Sequence, residues 1–164
     1  MRKKLKNIVH RLGTVVSSGD SEKDSVYRNY YDYSEPVEKI PSHRILAILR
    51  GENEEMLKVR IDCSDATCLN AVYSEFVKEK SIFTDIVKNA CADSWQRLLQ
   101  PSIEREIRNE LRDRAYEQAV KMFGLNLRHL LMQPPVKDKV VLAVDPAYRT
   151  GCKIAVVDST GKVL

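Results

Sequence analysis

Asp145 closes an unbroken apolar run, Val140 to Val144, and is followed by Pro146 and the loop Ala147-Tyr148-Arg149-Thr150-Gly151. A carboxylate held at the end of a buried strand presents hard oxygen ligands of the kind that suit Mg²⁺. Asp145 is therefore a candidate metal ligand and catalytic residue for phosphodiester cleavage, in which two metals stabilise the attacking and leaving oxygens. One carboxylate cannot hold two metals, and no other acidic constellation stands out. Arg149, Thr150 and Lys153 suggest a different chemistry, because two cations, a hydroxyl and backbone N–H groups in one loop can bind phosphate. Asp158, just before Ser159-Thr160-Gly161, reads as a turn former. At the other end, residues 1–12 carry Arg2, Lys3, Lys4, Lys6 and Arg11 and no acid. Arg2, Lys3, Lys4 and Lys6 are the second set of candidate phosphate contacts, with a solvated helix face as the alternative.

Composition limits what these groups can belong to. The chain has 164 residues, a formal charge of +4, 43% hydrophobic and 30% charged residues, as in a globular chain rather than a disordered one. No apolar run approaches the ~20 residues that span a bilayer, so no membrane partner is expected. The basic excess lies at the two ends, and residues 13–136 are net negative. Cys63, Cys68, Cys91 and Cys152 contain no Cys-x-x-Cys pair and stand apart from His10, His43 and His129. That spacing argues against a zinc site or a disulfide scaffold and for reduced thiols. No cofactor is expected, with Mg²⁺ entering only if the chain is a nuclease.

The elements that must position these residues are mostly helical. Leu5, Ile8, Val9 and Leu12 predict a short amphipathic helix stopped at Gly13, and residues 17–25 read as a polar loop. Tyr27, Tyr30 and Tyr31 fall on one helical face, which favours core packing over base stacking. Ser42 is placed as the N-cap of a helix ended by Gly51, and Leu57, Val59 and Ile61 alternate as in a half-exposed strand. Ser64 caps a helix with a stripe of Leu69, Val72, Tyr73, Phe76 and Val77. The next helix carries Ile82, Ile86, Val87, Ala90 and Leu98, with Trp95 buried and Pro101 interrupting or restarting it.

Residues 102–132 form the longest helical pattern, up to Pro134-Pro135. Glu104 with Arg108, Glu110 with Arg114 and Glu117 with Lys121 are i, i+4 pairs worth ~0.2–0.5 kcal/mol each. Their acids nearly cancel an arginine-rich face, which reads as solvated rather than RNA-binding. The buried runs Val140–Val144 and Ile154–Val157 then predict strands, with Val163 and Leu164 opening a third. So small a sheet, apolar on both faces, is poorly stable alone, and the chain reads as a piece of a longer protein.

Three stretches resemble a known family. DPAYRTGCKIAVVDSTGKVL is similar to the opening of the YqgF (RNase H-like) domain of the Tex family, bacterial transcription accessory proteins related to a eukaryotic elongation factor and histone chaperone. YRNYYDYSEPVEKIPSHRILAILRGENEEMLKV resembles the family's central helical region, and SWQRLLQPSIEREIRNELRDRAYEQAVKMFGLNLRHLLMQPPVKDK the long helix leading into YqgF. The resemblance implies a mainly α chain. A Tex-type central helical region would occupy 1–135, and the incomplete N-terminal strands of a YqgF domain 136–164. Asp145 matches the first acidic position of the RNase H-like site, while Ala147 stands where the family more often has Gly. The resemblance further implies a cytoplasmic fragment of a nucleic-acid-binding transcription accessory protein, scaffold-like and not catalytic by itself. Its partners would be RNA or DNA, bound weakly without sequence preference, and the transcription machinery. The family's helix-hairpin-helix elements and RNA-binding barrel are missing from this stretch. The alternatives are a metal-dependent nuclease of the resolvase type and a helical docking module.

Overall fold

The structure, a computed structural model, describes residues 1–20, 25–78, 81–134, 136–149 and 151–164. The described residues form five α-helices and five strands, in two units, Met1–Met122 and Phe123–Leu164. The fold is mainly α, a multi-helix body followed by a few antiparallel strands.

In the first unit, α1 (Arg2–Leu12) buries Leu5 and Val9 and ends at Gly13. The chain then enters β1 (Thr14–Gly19), the centre of an antiparallel sheet ordered β2-β1-β3, with β2 at Asp32–Pro36 and β3 at Leu57–Asp62. Val15 pairs with Glu35 on one side and Ile61 on the other. Two sequence expectations give way here. Ser17 to Gly19 belong to a strand, and the tyrosine run is one 3-10 turn (Arg28–Tyr30) entering β2 rather than a helical face. Ser17 tolerates burial because its hydroxyl donates to the Tyr30 carbonyl at 2.7 Å, so a small polar residue reads as loop in sequence yet sits inside. Tyr27 is buried as expected, whereas Tyr30 and Tyr33 meet edge to face with centroids 5.3 Å apart.

α2 (Ser42–Asn53) begins one residue earlier than a capping Ser42 would allow, and neither Ser42 nor Ser64 makes a side-chain cap. It also runs through Gly51. A Cβ there would lie 2.7 Å from Leu57 Cδ1 and 3.0 Å from a Tyr27 ring carbon, so this glycine permits close packing and does not end the helix. The chain reverses instead at Glu55, whose φ is +57°.

α3 (Asp65–Phe76) buries Cys68 and Val72. α4 (Thr84–Ser94) starts after Ile82 and buries none of its predicted stripe; Ile86 is 65% exposed. Trp95 takes the core position in its place, with its indole N–H donating to Asp65 at 2.8 Å. Trp95–Leu99 is a π-helical turn that joins α4 to α5 (Gln100–Leu131) without a break. The wide turn fits Pro101, which lacks a donor and whose ring would press on the carbonyl four residues back in a regular helix. Only the first half of α5 is packed, through Ile103, Ile107, Leu111 and Ala115.

The second unit holds the last turns of α5 and a hairpin of β4 (Val141–Asp145) and β5 (Lys153–Val157), with Val163 bridging to Val157. Leu142, Val144 and Ile154 are exposed, as are Phe123 and Leu130 on the helix.

Candidate nucleic-acid interface

Asp145 is the last residue of β4, and its register partner is Lys153 at the start of β5. Antiparallel pairing thus puts a carboxylate opposite an ammonium across the ladder, a favourable cross-strand neighbour. Both are exposed, as is Arg149 in the connecting turn, while Thr150 lies outside the described residues. Among the described residues, no three or more His, Cys, Asp or Glu side chains converge into a metal-sized cluster, with or without Asp145. Asp158 is a turn former: its carboxylate accepts from the Thr160 N–H and hydroxyl and from the Lys162 N–H, at 2.7 to 3.0 Å, and Gly161 has φ +85°. Those donors, the Thr160 hydroxyl first, hold its pKa below the ordinary aspartate value.

The basic N-terminus divides. Arg2 donates to Ser102 at 3.0 Å and pairs with Glu106 at 2.8 Å. Lys6 pairs with Glu106 at 2.7 Å and also contacts Glu110. These two carboxylates raise the Lys6 pKa above its ordinary value. Arg2 and Lys6 therefore clamp α1 to α5, and Lys3 and Lys4 are left exposed on the other side of α1.

The expected i, i+4 pairing along α5 is also redistributed. The Glu104 carboxylate accepts the Ile61 N–H at 3.0 Å. Arg108 contacts Glu52 and lies 3.5 Å from the Val59 carbonyl, while Arg114 donates to the Ile40 carbonyl at 3.0 Å. Glu104 and Arg108 thus cap the open edge of β3, where unpaired backbone groups would otherwise stand. Helix charges read as a solvated face are tertiary connectors.

This redistribution sorts charge around α5. Glu106 and Glu110 face α1, and Arg105, Arg108 and Arg112 face the C-terminal end of α2. The groove on that side is lined by Leu49, Glu52 and Asn53 of α2 and by Pro101, Glu104, Arg105, Arg108, Asn109, Arg112 and Tyr116 of α5. Sequence spacing missed it because the groove needs α2 to lie beside α5, a pairing no local period encodes. The i, i+3, i+7 arginines were the available signal.

A helical body leads into a strand ending in an aspartate and then its antiparallel partner, as expected for a Tex-type body followed by the start of a YqgF domain. Comparison with known families agrees. The family described as Tex central region-like matches residues 1–123, and the one described as Tex protein YqgF-like domain matches 139–164. The chain belongs to the Tex family. It is 46% identical to protein YdcI of Bacillus subtilis over 99% of this chain and 23% of that protein. It is 34% identical to the transcriptional accessory protein Tex of Neisseria gonorrhoeae over 93% of this chain and 21% of that protein. It is 35% identical to the human S1 RNA-binding domain-containing protein 1, over 93% of this chain and 16% of that protein. The chain thus spans about a fifth of the length of these relatives.

Proposed function

We propose that this chain is a nucleic-acid-binding scaffold segment of a cytoplasmic transcription accessory protein and does not cleave its ligand by itself. The observation that carries the reading is family membership across nearly the whole chain, with relatives named for transcription and for RNA binding. Lys3 and Lys4 on α1, and Arg149 and Lys153 beside the hairpin turn, are exposed cations that support weak contact with phosphates. The contact is sequence-independent, since phosphate contacts position a ligand and do not read its bases. The transcription machinery is the setting in which the nucleic acid is met.

The non-catalytic part rests on the carboxylate count. A two-metal site needs several carboxylates, and Asp145 has no cluster of metal-binding side chains around it among the described residues. Incubating the chain with labelled RNA and junction DNA in Mg²⁺ or Mn²⁺ tests this. Intact strands are expected from both wild type and Asp145→Asn. Metal-dependent cutting that the substitution abolishes would establish the nuclease reading instead.

A further inference from the structure

The groove between the end of α2 and the first half of α5 has the components of a single-strand site. Among the described residues Arg105 is exposed and has no ion pair, and Arg112 pairs with its chain neighbour Asp113, at 3.2 Å. Arg108 lies between them on the same helix face. Of the two groove carboxylates, Glu52 is paired with Arg108, while Glu104 accepts the Ile61 N–H and keeps its charge. The three arginines of the lining thus outnumber its acids by one. Besides the apolar Leu49 and Pro101, the remaining groups along the groove are guanidiniums, the amides Asn53 and Asn109, and the Tyr116 ring, which is 52% exposed. Two further acids of α5, Glu106 and Glu110, are turned to α1 and hold Arg2 and Lys6, so they add no negative charge to the groove.

We propose that this groove binds single-stranded RNA along its sugar–phosphate backbone, with Arg105 and Arg112 on phosphates and Tyr116 as a stacking surface. The proposal rests on the nucleic-acid reading above and adds a built site to the exposed cations named there. Sequence-tolerant single-strand binding combines a cationic groove with an exposed aromatic face on which any base can stack. A helix flank against a helix end offers a cleft for one strand rather than a platform for a duplex. The amides Asn53 and Asn109 add partners for the 2′-hydroxyl, the group by which proteins distinguish RNA from DNA.

The test is fluorescence anisotropy with a labelled uridine 12-mer over a salt series, comparing wild type with the double variant Arg105→Gln/Arg112→Gln. Neither arginine holds another element in place, so thermal melting of the variant should match wild type and show that it folds. Removing two single-strand phosphate contacts should reduce the salt slope by about 1.4 in magnitude, or roughly 60-fold in affinity at 50 mM salt if the two proteins converge at 1 M. Tyr116→Ala should weaken the uridine 12-mer but not an abasic strand of the same length. A double variant that binds with wild-type slope and affinity would remove the groove while leaving the nucleic-acid reading intact. Failure of wild type to bind at the lowest salt would remove both. Equal affinity for the deoxy counterpart, or for a duplex, would overturn the assignment to single-stranded RNA.

Discussion

Glu35 shows how single side chains set the stability of this chain. Its carboxylate accepts from the Tyr33 hydroxyl and pairs with Arg44 at 2.9 Å, while the Arg44 guanidinium lies 5.9 Å from the Tyr33 ring centroid. The Tyr33 bond first, and then Arg44, lower the Glu35 pKa from its ordinary 4.5. A carboxylate whose folded pKa lies below its unfolded value stabilises the fold fully above the unfolded value. That contribution is lost as pH falls through the folded one. Glu106, lowered first by Lys6, acts in the same direction. Lys6 has the opposite sign: its raised pKa contributes below its ordinary 10.5 and is lost above it. The melting temperature is therefore expected to fall between about pH 5 and pH 3, and Glu35→Gln should make that fall shallower. An acid limb of the same depth in both proteins, measured by circular dichroism, would show that Glu35 contributes nothing. The sequence displayed Tyr33, Glu35 and Arg44, but not that a strand and the first turn of a helix would bring them together.

At the scale of elements, α5 does more than fill the core. Its acidic side takes α1 through Arg2 and Lys6, and its Glu104 and Arg108 close the edge of β3. Glu104→Ala would leave the Ile61 N–H, in a buried residue, without its acceptor. A cost of about 1–3 kcal/mol in denaturant unfolding is expected for an orphaned buried donor. A loss within error of zero would mean that the edge is satisfied in another way. The helices themselves were legible from their apolar periods, and so was β3 from its alternation. β1 and β2 were not. The β-branched run Thr14-Val15-Val16 is short and its alternation continues through small polar residues, with Ser17 on the buried side. β2 is a polar stretch, Asp32–Pro36, with no apolar alternation to read. Gly51 misled for a related reason: sequence shows a glycine but not the Leu57 side chain that requires it. The apolar residues of α4 kept their helical spacing, and yet Trp95 took the buried position.

For the whole molecule, the distribution of charge differs from its sequence reading in a specific way. Sequence placed free cations at the N-terminus and a neutralised arginine face on the long helix. Folding ties two of the N-terminal cations to α5 and exposes arginines on its far side. The family was legible because its motifs are local strings around residues 27–61 and 94–164. The groove was not, because it depends on contacts between residues about fifty positions apart. The proposed role requires this chain to hold nucleic acid through phosphate contacts. Titrating the wild-type chain against labelled single-stranded RNA at a series of salt concentrations tests it most directly. The expected result is weak binding whose log affinity falls linearly with log salt, at about 0.7 per phosphate contact. Absence of binding at low salt, or an affinity that salt does not change, would contradict it.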